Sequence, residues 1–447
     1  GWYRVTGAAL QAAGVDLTGV PVAELGLFVG TTPVPMQVEG GATVGPTTAL
    51  SFYGRAVVDN LYTTRQVYRL QRQAGPRLMP AAVASGTGSV TRYVHVERQA
   101  PNLLYSFSSP LADPWYASRI VRQGTTSPTS VYTLPVSERE SGEAEVVVTL
   151  YGGTDLPGEA ADHHAVLRVN GQTVASAVFD GLAARTLRAT VDAALLTANT
   201  TVEVGFGETP YSVDVLHIES VELRYPRRTV LQSGELRMAA VASTGGEQLL
   251  RSGFETTDTA CTGCGATEYV VTGVNPGQPL QVLRLEPTGA VSLVGVTREG
   301  GSVRFAATGG EGVELLVTQQ LRSATVEAGR VPANLLTGSA KLLVIAHASF
   351  IESPQSQLNR LLQARQVEGL STKVVDVQDL YRAYSGGVTD ARAIAAYIRE
   401  AVTALGTRYV LLVGGDTYDY GNHLNLGSVS FVPTLYTPTS PFVRFAP

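Results

Sequence analysis

The chain has 447 residues, too many for one ordinary domain and suited to about three. Hydrophobic residues make up 44% and charged residues 16%, which supplies several cores and leaves little for a solvating tail. With a formal net charge of -5 and no basic stripe, nucleic acid is excluded as the expected partner, and the longest apolar runs, such as Leu342-Leu343-Val344-Ile345-Ala346, are far too short for a transmembrane segment.

The opening Gly1-Trp2-Tyr3-Arg4-Val5-Thr6 reads as a strand, without the basic start and apolar stretch of a signal peptide, and is expected to begin inside a larger precursor. Low charge with many Thr, Ser and Gly in β patterns favours an exported protein, secreted or at a cell surface. Residues 1–135 read as an N-terminal β domain. Its runs Leu25-Gly26-Leu27-Phe28-Val29, Phe52-Tyr53-Gly54, Tyr62-Thr63 and Val67-Tyr68-Arg69-Leu70 are separated by frequent Gly and Pro. The low-charge Ala/Ser/Gly stretch from Pro80 to Thr91 reads as a loop.

Residues 136–228 read as an antiparallel sandwich of jelly-roll type. Asn170-Gly171 sits between two alternating runs, Val166 to Val169 and Gln172 to Val174, and predicts a tight hairpin because both turn positions tolerate positive φ. Val202-Glu203-Val204 and the stretch from Val215 to Leu223 alternate in the same way, and Tyr225-Pro226 is expected to end the unit. Residues 229–337 read as a smaller, Ig-like sandwich, with strands around Val282, Val291, Val303 and Val313 and turns at Gly300-Gly301 and Gly309-Gly310.

From residue 338 to 447 the pattern changes. Leu342 to Ala346 is continuously apolar, as in a strand buried on both faces. Ser353-Pro354 predicts a helix start, Leu358, Leu361 and Leu362 follow at helical spacing, and Gly369 closes the helix. Lys373 to Val377 is a second strand. Thr389 or Asp390 caps a second helix carrying Ile394, Tyr397, Ile398, Val402 and Leu405, and Tyr409 to Val413 is a third strand. Strand, helix, strand, helix, strand predicts the first part of a three-layer α/β domain with a parallel sheet.

Ligands of such sheets gather beyond the carboxyl ends of the strands, which here carry His347, Asp376 to Asp379, and Gly414-Gly415-Asp416. Asp416 is placed to orient a catalytic group, hold a cation or support a turn, and support is the simplest reading. His347 is a candidate general base, since an imidazole titrates near neutrality, but no nucleophile accompanies it; Ser349 has no G-x-S-x-G elbow around it. A stabilising histidine at a strand end is the better reading. The two cysteines, Cys261 and Cys264, leave three options: half of a zinc site with no second ligand pair, a redox pair without its helix, or a tight-loop disulfide, which fits an exported β domain best. Asp162-His163-His164 reads as an exposed loop rather than a metal site. The run Glu138, Glu140, Glu143, Glu145 is compatible with calcium but specifies no coordination geometry. The P-loop and dinucleotide fingerprints are absent.

In order and spacing, several C-terminal pieces resemble the gingipain-like cysteine peptidases, peptidase family C25. They are Leu342 to Ala346, Gln366-Val367-Glu368-Gly369-Leu370, Val374-Val375-Asp376-Val377, Asp379-Leu380-Tyr381 with Gly386-Gly387, the helix from Asp390, and Tyr409 through Gly414-Gly415-Asp416-Thr417-Tyr418-Asp419. Upstream, Phe52-Tyr53-Gly54, Asp59, Tyr62-Thr63, Tyr68 and Val270-Val271-Thr272-Gly273-Val274 are similar to the amino-terminal part of large members related to the sortase-like protease of the type IX secretion system. The resemblance implies a caspase-like fold, a protein or peptide substrate, and a cysteine nucleophile assisted by histidine. The family's catalytic His-Gly and Cys are expected downstream of Pro447, so no residue of this chain is assigned a catalytic role and the chain alone is expected to be inactive. Two further functions compete: a non-catalytic surface protein whose sandwiches bind carbohydrate or protein, and a transpeptidase in which an amine replaces water.

Overall fold

A computed structural model describes residues 1–58, 60–73, 78–106, 113–158, 161–241, 265–330, 332–353 and 356–436. Asp59, Cys261, Cys264 and Pro354 lie outside the described residues, so the cysteine and proline readings are left where the sequence puts them. Two compact units are present. One is built from Gly1–Met79 and the described residues from Leu321 to 436, the other from Pro80–Gln320.

The unit of residues 80–320 holds two antiparallel sandwiches. In the first, one sheet runs Ser118–Gln123, Val213–Arg228, Glu143–Gly152, Ala184–Asp192, with Arg92–Gln99 also paired to Val213–Arg228. The facing sheet runs Ser130–Pro135, Asn199–Phe206, His163–Val169, Gln172–Phe179. Alternation puts Val146, Val148, Leu150, Leu167, Val169, Val202, Val204, Leu216, Ile218 and Leu223 into a single core. The expected hairpin forms at Asn170-Gly171, with φ of 48° and 82°.

The strand Val213–Arg228 runs through Pro226 instead of stopping there. The Pro226 carbonyl accepts from the Glu140 N–H, and in an extended strand the N and C=O of one residue face the same side. The missing N–H therefore faces away from Arg92–Gln99, so its ladder loses nothing. The second sandwich uses Ala266–Thr272, Gln281–Glu286, Ser302–Ala307 and Glu314–Thr318 around a core of Leu236, Tyr269, Val271, Val282, Val303, Phe305 and Val317. The stretch from Pro80 to Thr91 is not all loop. Ala81–Ala82 and Gly86–Val90 add to its two sheets as parallel strands, which alternation does not signal because they carry few large apolar side chains.

Asp162-His163-His164 departs from the sequence reading. Asp162 and His163 are buried, not exposed. His163 Nδ1 lies 2.6 Å from Asp214 Oδ1, and Nε2 lies 3.1 Å from the Thr154 carbonyl and 3.2 Å from that of Gly181. Asp162 accepts from the N–H groups of Leu156 and Gly181. Each imidazole nitrogen faces acceptors only, so the doubly protonated ring is the form that satisfies both. Burial by itself pushes the imidazolium down; Asp214, Asp162 and the Thr154 carbonyl outweigh it and raise the pKa above the ordinary value. His164 points the other way, toward the Glu208 carbonyl.

In the other unit, Trp2–Thr6 pairs with Ala49–Tyr53 and, in parallel, with Arg322–Ser323. The expected parallel sheet follows. Leu342–Ala346 is its centre, flanked by Thr372–Asp376 and Tyr409–Val413, with Val344 in register with Val374 and Leu411. Leu343 and Ile345 pack beneath Leu380, Tyr381, Ile394 and Tyr397, on the helices Val377–Tyr384 and Ala391–Ala404. Leu342 and Val344 pack against Leu358 and Leu362, on the helix Leu358–Val367. That is the three-layer α/β arrangement. The first long helix runs from Leu358 and ends where Gly369 and Leu370 donate back to Gln366 and Arg365. The helix Val377–Tyr384, unforeseen from the sequence, starts at once after the strand because the Asp376 side chain caps it through Gln378 N–H.

Replacing His163 by Ala leaves two buried carboxylates without their cation and should cost about 3–5 kcal/mol. Because the folded pKa is raised, the proton-linked stability is complete below the unfolded value of about 6.5 and is lost as pH rises through the folded value. Urea unfolding of the wild type followed upward from about pH 6 should show this decline, and His163→Gln should flatten it.

Candidate functional site

The carboxyl ends of the three parallel strands carry His347, Asp376 and the turn at Gly414. Gly414 has φ of 133°, and a Cβ there would lie 2.7 Å from Cβ of Phe431. Only glycine lets the backbone leave the strand while residues 430–434 fold back over it.

Asp416 is the anchor of that fold-back. Its Oδ2 accepts from Tyr62 Oη at 2.8 Å and from the Thr434 N–H at 2.9 Å; its Oδ1 accepts from Thr417 N–H at 2.8 Å and from the Ser430 hydroxyl. Tyr62 Oη also receives the Thr434 N–H. Burial alone would raise the carboxyl, but the Ser430, Thr434, Tyr62 and Thr417 hydrogen bonds prevail and hold it below the usual carboxylate range. Burial, then the Asp416 bond, pushes the Tyr62 phenol up, so it stays a donor at neutral pH. Tyr62 is itself set by Asn60, whose Oδ1 accepts the Tyr62 N–H and whose Nδ2 donates to the Thr389 carbonyl. With every lone-pair direction engaged, Asp416 is a poor base and an effective structural anion.

A second buried carboxylate shapes the loop beyond. Asp419 accepts from the N–H groups of His423 and Leu424 and from the Ser428 hydroxyl. Asp379, also buried, pairs with Arg382 at 2.8 Å and with Arg330. The Tyr381 hydroxyl is buried without a hydrogen-bond partner among the described residues, and burial followed by the Asp390, Asp416 and Asp376 charges pushes it up.

His347 Nδ1 accepts from the Ser349 N–H and lies 2.8 Å from its hydroxyl, so the ring caps the short helix Ala348–Ile351. The network places the ring proton on Nε2. Its edge meets Phe431 at 5.2 Å between ring centroids. Among the described residues no hydrogen bond or ion pair joins His347 to Asp416, and neither meets a thiol. Their common neighbour is the segment Ser430-Phe431.

In the acidic run, Glu138 and Glu140 pair with Arg228, and Glu145 with Arg188 and Arg224. Among the described residues no group of three or more His, Cys, Asp or Glu is arranged to hold a metal, and no helix is long and apolar enough to cross a membrane. Asp416 and His347 were legible as strand-end residues. Ser430, Thr434 and the role of Tyr62 were not, since 354 positions separate Tyr62 from Asp416.

The match to known proteins falls on this region. Residues 336–443 match the family model described as Peptidase family C25. No curated protein matches the chain. Among solved structures, dimeric latent PorU from Porphyromonas gingivalis superposes with a TM-score of 0.67 at 18% identity, covering 99% of this chain and 44% of that one. This chain thus spans less than half the length of the PorU chain, and at that identity the likeness establishes the fold. The CBM36-1 domain of a multidomain xylanase from the hindgut metagenome of Trinervitermes trinervoides (TM-score 0.20, 12% identity, 29% of this chain and 95% of that one) is too distant to carry an argument. The resemblance to gingipain-like peptidases therefore rests on a family-model match over the α/β segment and on a shared fold across nearly the whole chain.

Removing only the Tyr62 hydroxyl leaves Asp416 Oδ2 one donor short and should cost about 1–3 kcal/mol. Because Asp416 has a depressed folded pKa, its proton-linked stability is present above about pH 3.9 and lost as pH falls through the folded value. Tyr62→Phe should shrink that acid-sensitive part. Guanidinium unfolding at neutral pH and at about pH 3, wild type against variant, measures both effects.

Proposed function

We propose that the chain is the amino-terminal part of an exported cysteine-type endopeptidase, acting on protein substrates, whose nucleophilic cysteine and histidine are supplied by sequence downstream of Pro447. The observation that carries this is the strand Tyr409–Val413. Strands of a parallel sheet are normally covered on both faces, yet Val410 and Leu412, in register with the buried Leu343 and Ile345, are 38% and 49% exposed. An apolar strand left open at the sheet's edge calls for another strand and helix beside it. The family C25 match over 336–443 supports the nature of that continuation.

In this reading the residues described above are positioning residues. Asp416 and Tyr62 hold the segment 430–434 against the strand ends, where a peptide would lie across the sheet. The thiolate attacks the peptide carbonyl, the carbonyl oxygen takes the charge under backbone N–H donors, and the histidine protonates the leaving amine. His347 stays a helix cap.

The test compares this chain with the polypeptide of the whole reading frame. The longer protein should cleave unfolded casein and lose that activity with iodoacetamide, while this chain should show no cleavage above background. Asp416→Asn in the longer protein should lower kcat/KM by about 10–100-fold through misplacement of the loop. Thiol-sensitive proteolysis by this chain alone would overturn the assignment of the nucleophile to downstream sequence.

A further inference from the structure

In the unit of residues 80–320, one buried guanidinium has no carboxylate in contact with it among the described residues. Arg227, on the strand Val213–Arg228, is 4% exposed. Its Nη1 lies 3.4 Å from Tyr93 Oη and 3.3 Å from His95 Nδ1, on the neighbouring strand Arg92–Gln99. Its Nε and Nη2 are enclosed and meet no acceptor among the described residues. These two nitrogens form one edge of the guanidinium, and their N–H bonds run side by side. A guanidinium does not shed its proton inside a protein, so the charge persists, and a buried unpaired charge is the costliest group a fold can carry.

Its two nearest side-chain partners are neutral. His95 is held neutral, pushed down to about 4 by burial and then by Arg227 itself. Tyr93 is pushed up by burial and remains a phenol. Glu97, on the same strand, feels the Arg227 charge, which lowers its carboxyl against the raising effect of burial, but its carboxylate lies 3.6 Å from His95 Nε2 and makes no ion pair with Arg227 among the described residues.

We propose that the unpartnered edge of Arg227 is a binding site for a small oxyanion, two of whose oxygens accept side-on from Nε and Nη2. The parallel N–H pair matches the spacing of carboxylate or sulfate oxygens, whereas a halide offers one centre and engages the fork less well. The site sits where the strand passes from one core to the next: Tyr225 belongs to the core of the first sandwich, Tyr93 and Leu231 to that of the second. A bound oxyanion would tie the two sandwiches at their shared strand.

The whole chain is melted in sodium formate, sodium sulfate and sodium chloride at matched ionic strength. Formate and sulfate should raise the melting temperature saturably, by about 3 °C or more at concentrations well above their dissociation constants, and chloride should not. Arg227→Lys keeps the charge without the fork and should abolish the difference between the salts. Should that variant fail to fold, wild-type protein titrated into 13C-formate should broaden its resonance saturably, with sulfate restoring it. Equal melting shifts in all three salts, or formate broadening that sulfate leaves untouched, would overturn the site. So would a Glu97→Gln variant that loses stability while the wild type shows no salt preference, since Glu97 would then be the counter-ion.

Discussion

Both edges and both faces of the strand Leu342–Ala346 are occupied, and the α/β half of its unit is arranged around that fact. Its five residues are all buried. Such a strand has no polar face to offer water, so it is stable only between two parallel neighbours and two helical layers. Parallel neighbours demand crossovers, and the helices that supply them are the layers. The same geometry brings three strand ends together, which puts His347, Asp376 and the turn before Asp416 in one place.

Charges inside the molecule are handled in three ways. Asp416 is surrounded by donors from four residues and stays ionised as a fastener. His163 is enclosed by two carboxylates and two carbonyls, which favour its protonated form. Arg227 has a hydroxyl and an imidazole on one edge and, among the described residues, no acceptor on the other. The first is a satisfied network, which rigidifies what it joins; in the second both ring nitrogens are engaged, while Asp214 Oδ2 is buried with no hydrogen-bond partner among the described residues. The third is half-satisfied, and a half-satisfied buried charge is where an additional group is to be sought.

The strand Tyr409–Val413 matches its neighbours in apolar character but not in burial. Val410 belongs to the same register layer as Leu343, yet only the latter is covered. This difference between two chemically similar positions, more than any single polar residue, gives the functional reading its direction.

Much was legible without coordinates. Continuous apolar runs, period-two alternation, Asn170-Gly171, Asp390 and Gly369 each act within a few residues, and each produced the element its pattern implies. Local chemistry also hid some outcomes: Pro226 reads as a terminator until the side its nitrogen faces is known, and Asp162-His163 reads as polar loop until Asp214 is beside it. Those partners come from distant sequence, as Tyr62 does for Asp416 and Arg322 for Tyr3. Most secondary structure follows from propensity and periodicity along the chain, which the sequence carries by itself; the helix Val377–Tyr384 and the strands of 81–90 do not. Which charge meets which donor, and which apolar strand is left uncovered, depends on distances through space, and these only the tertiary structure decided.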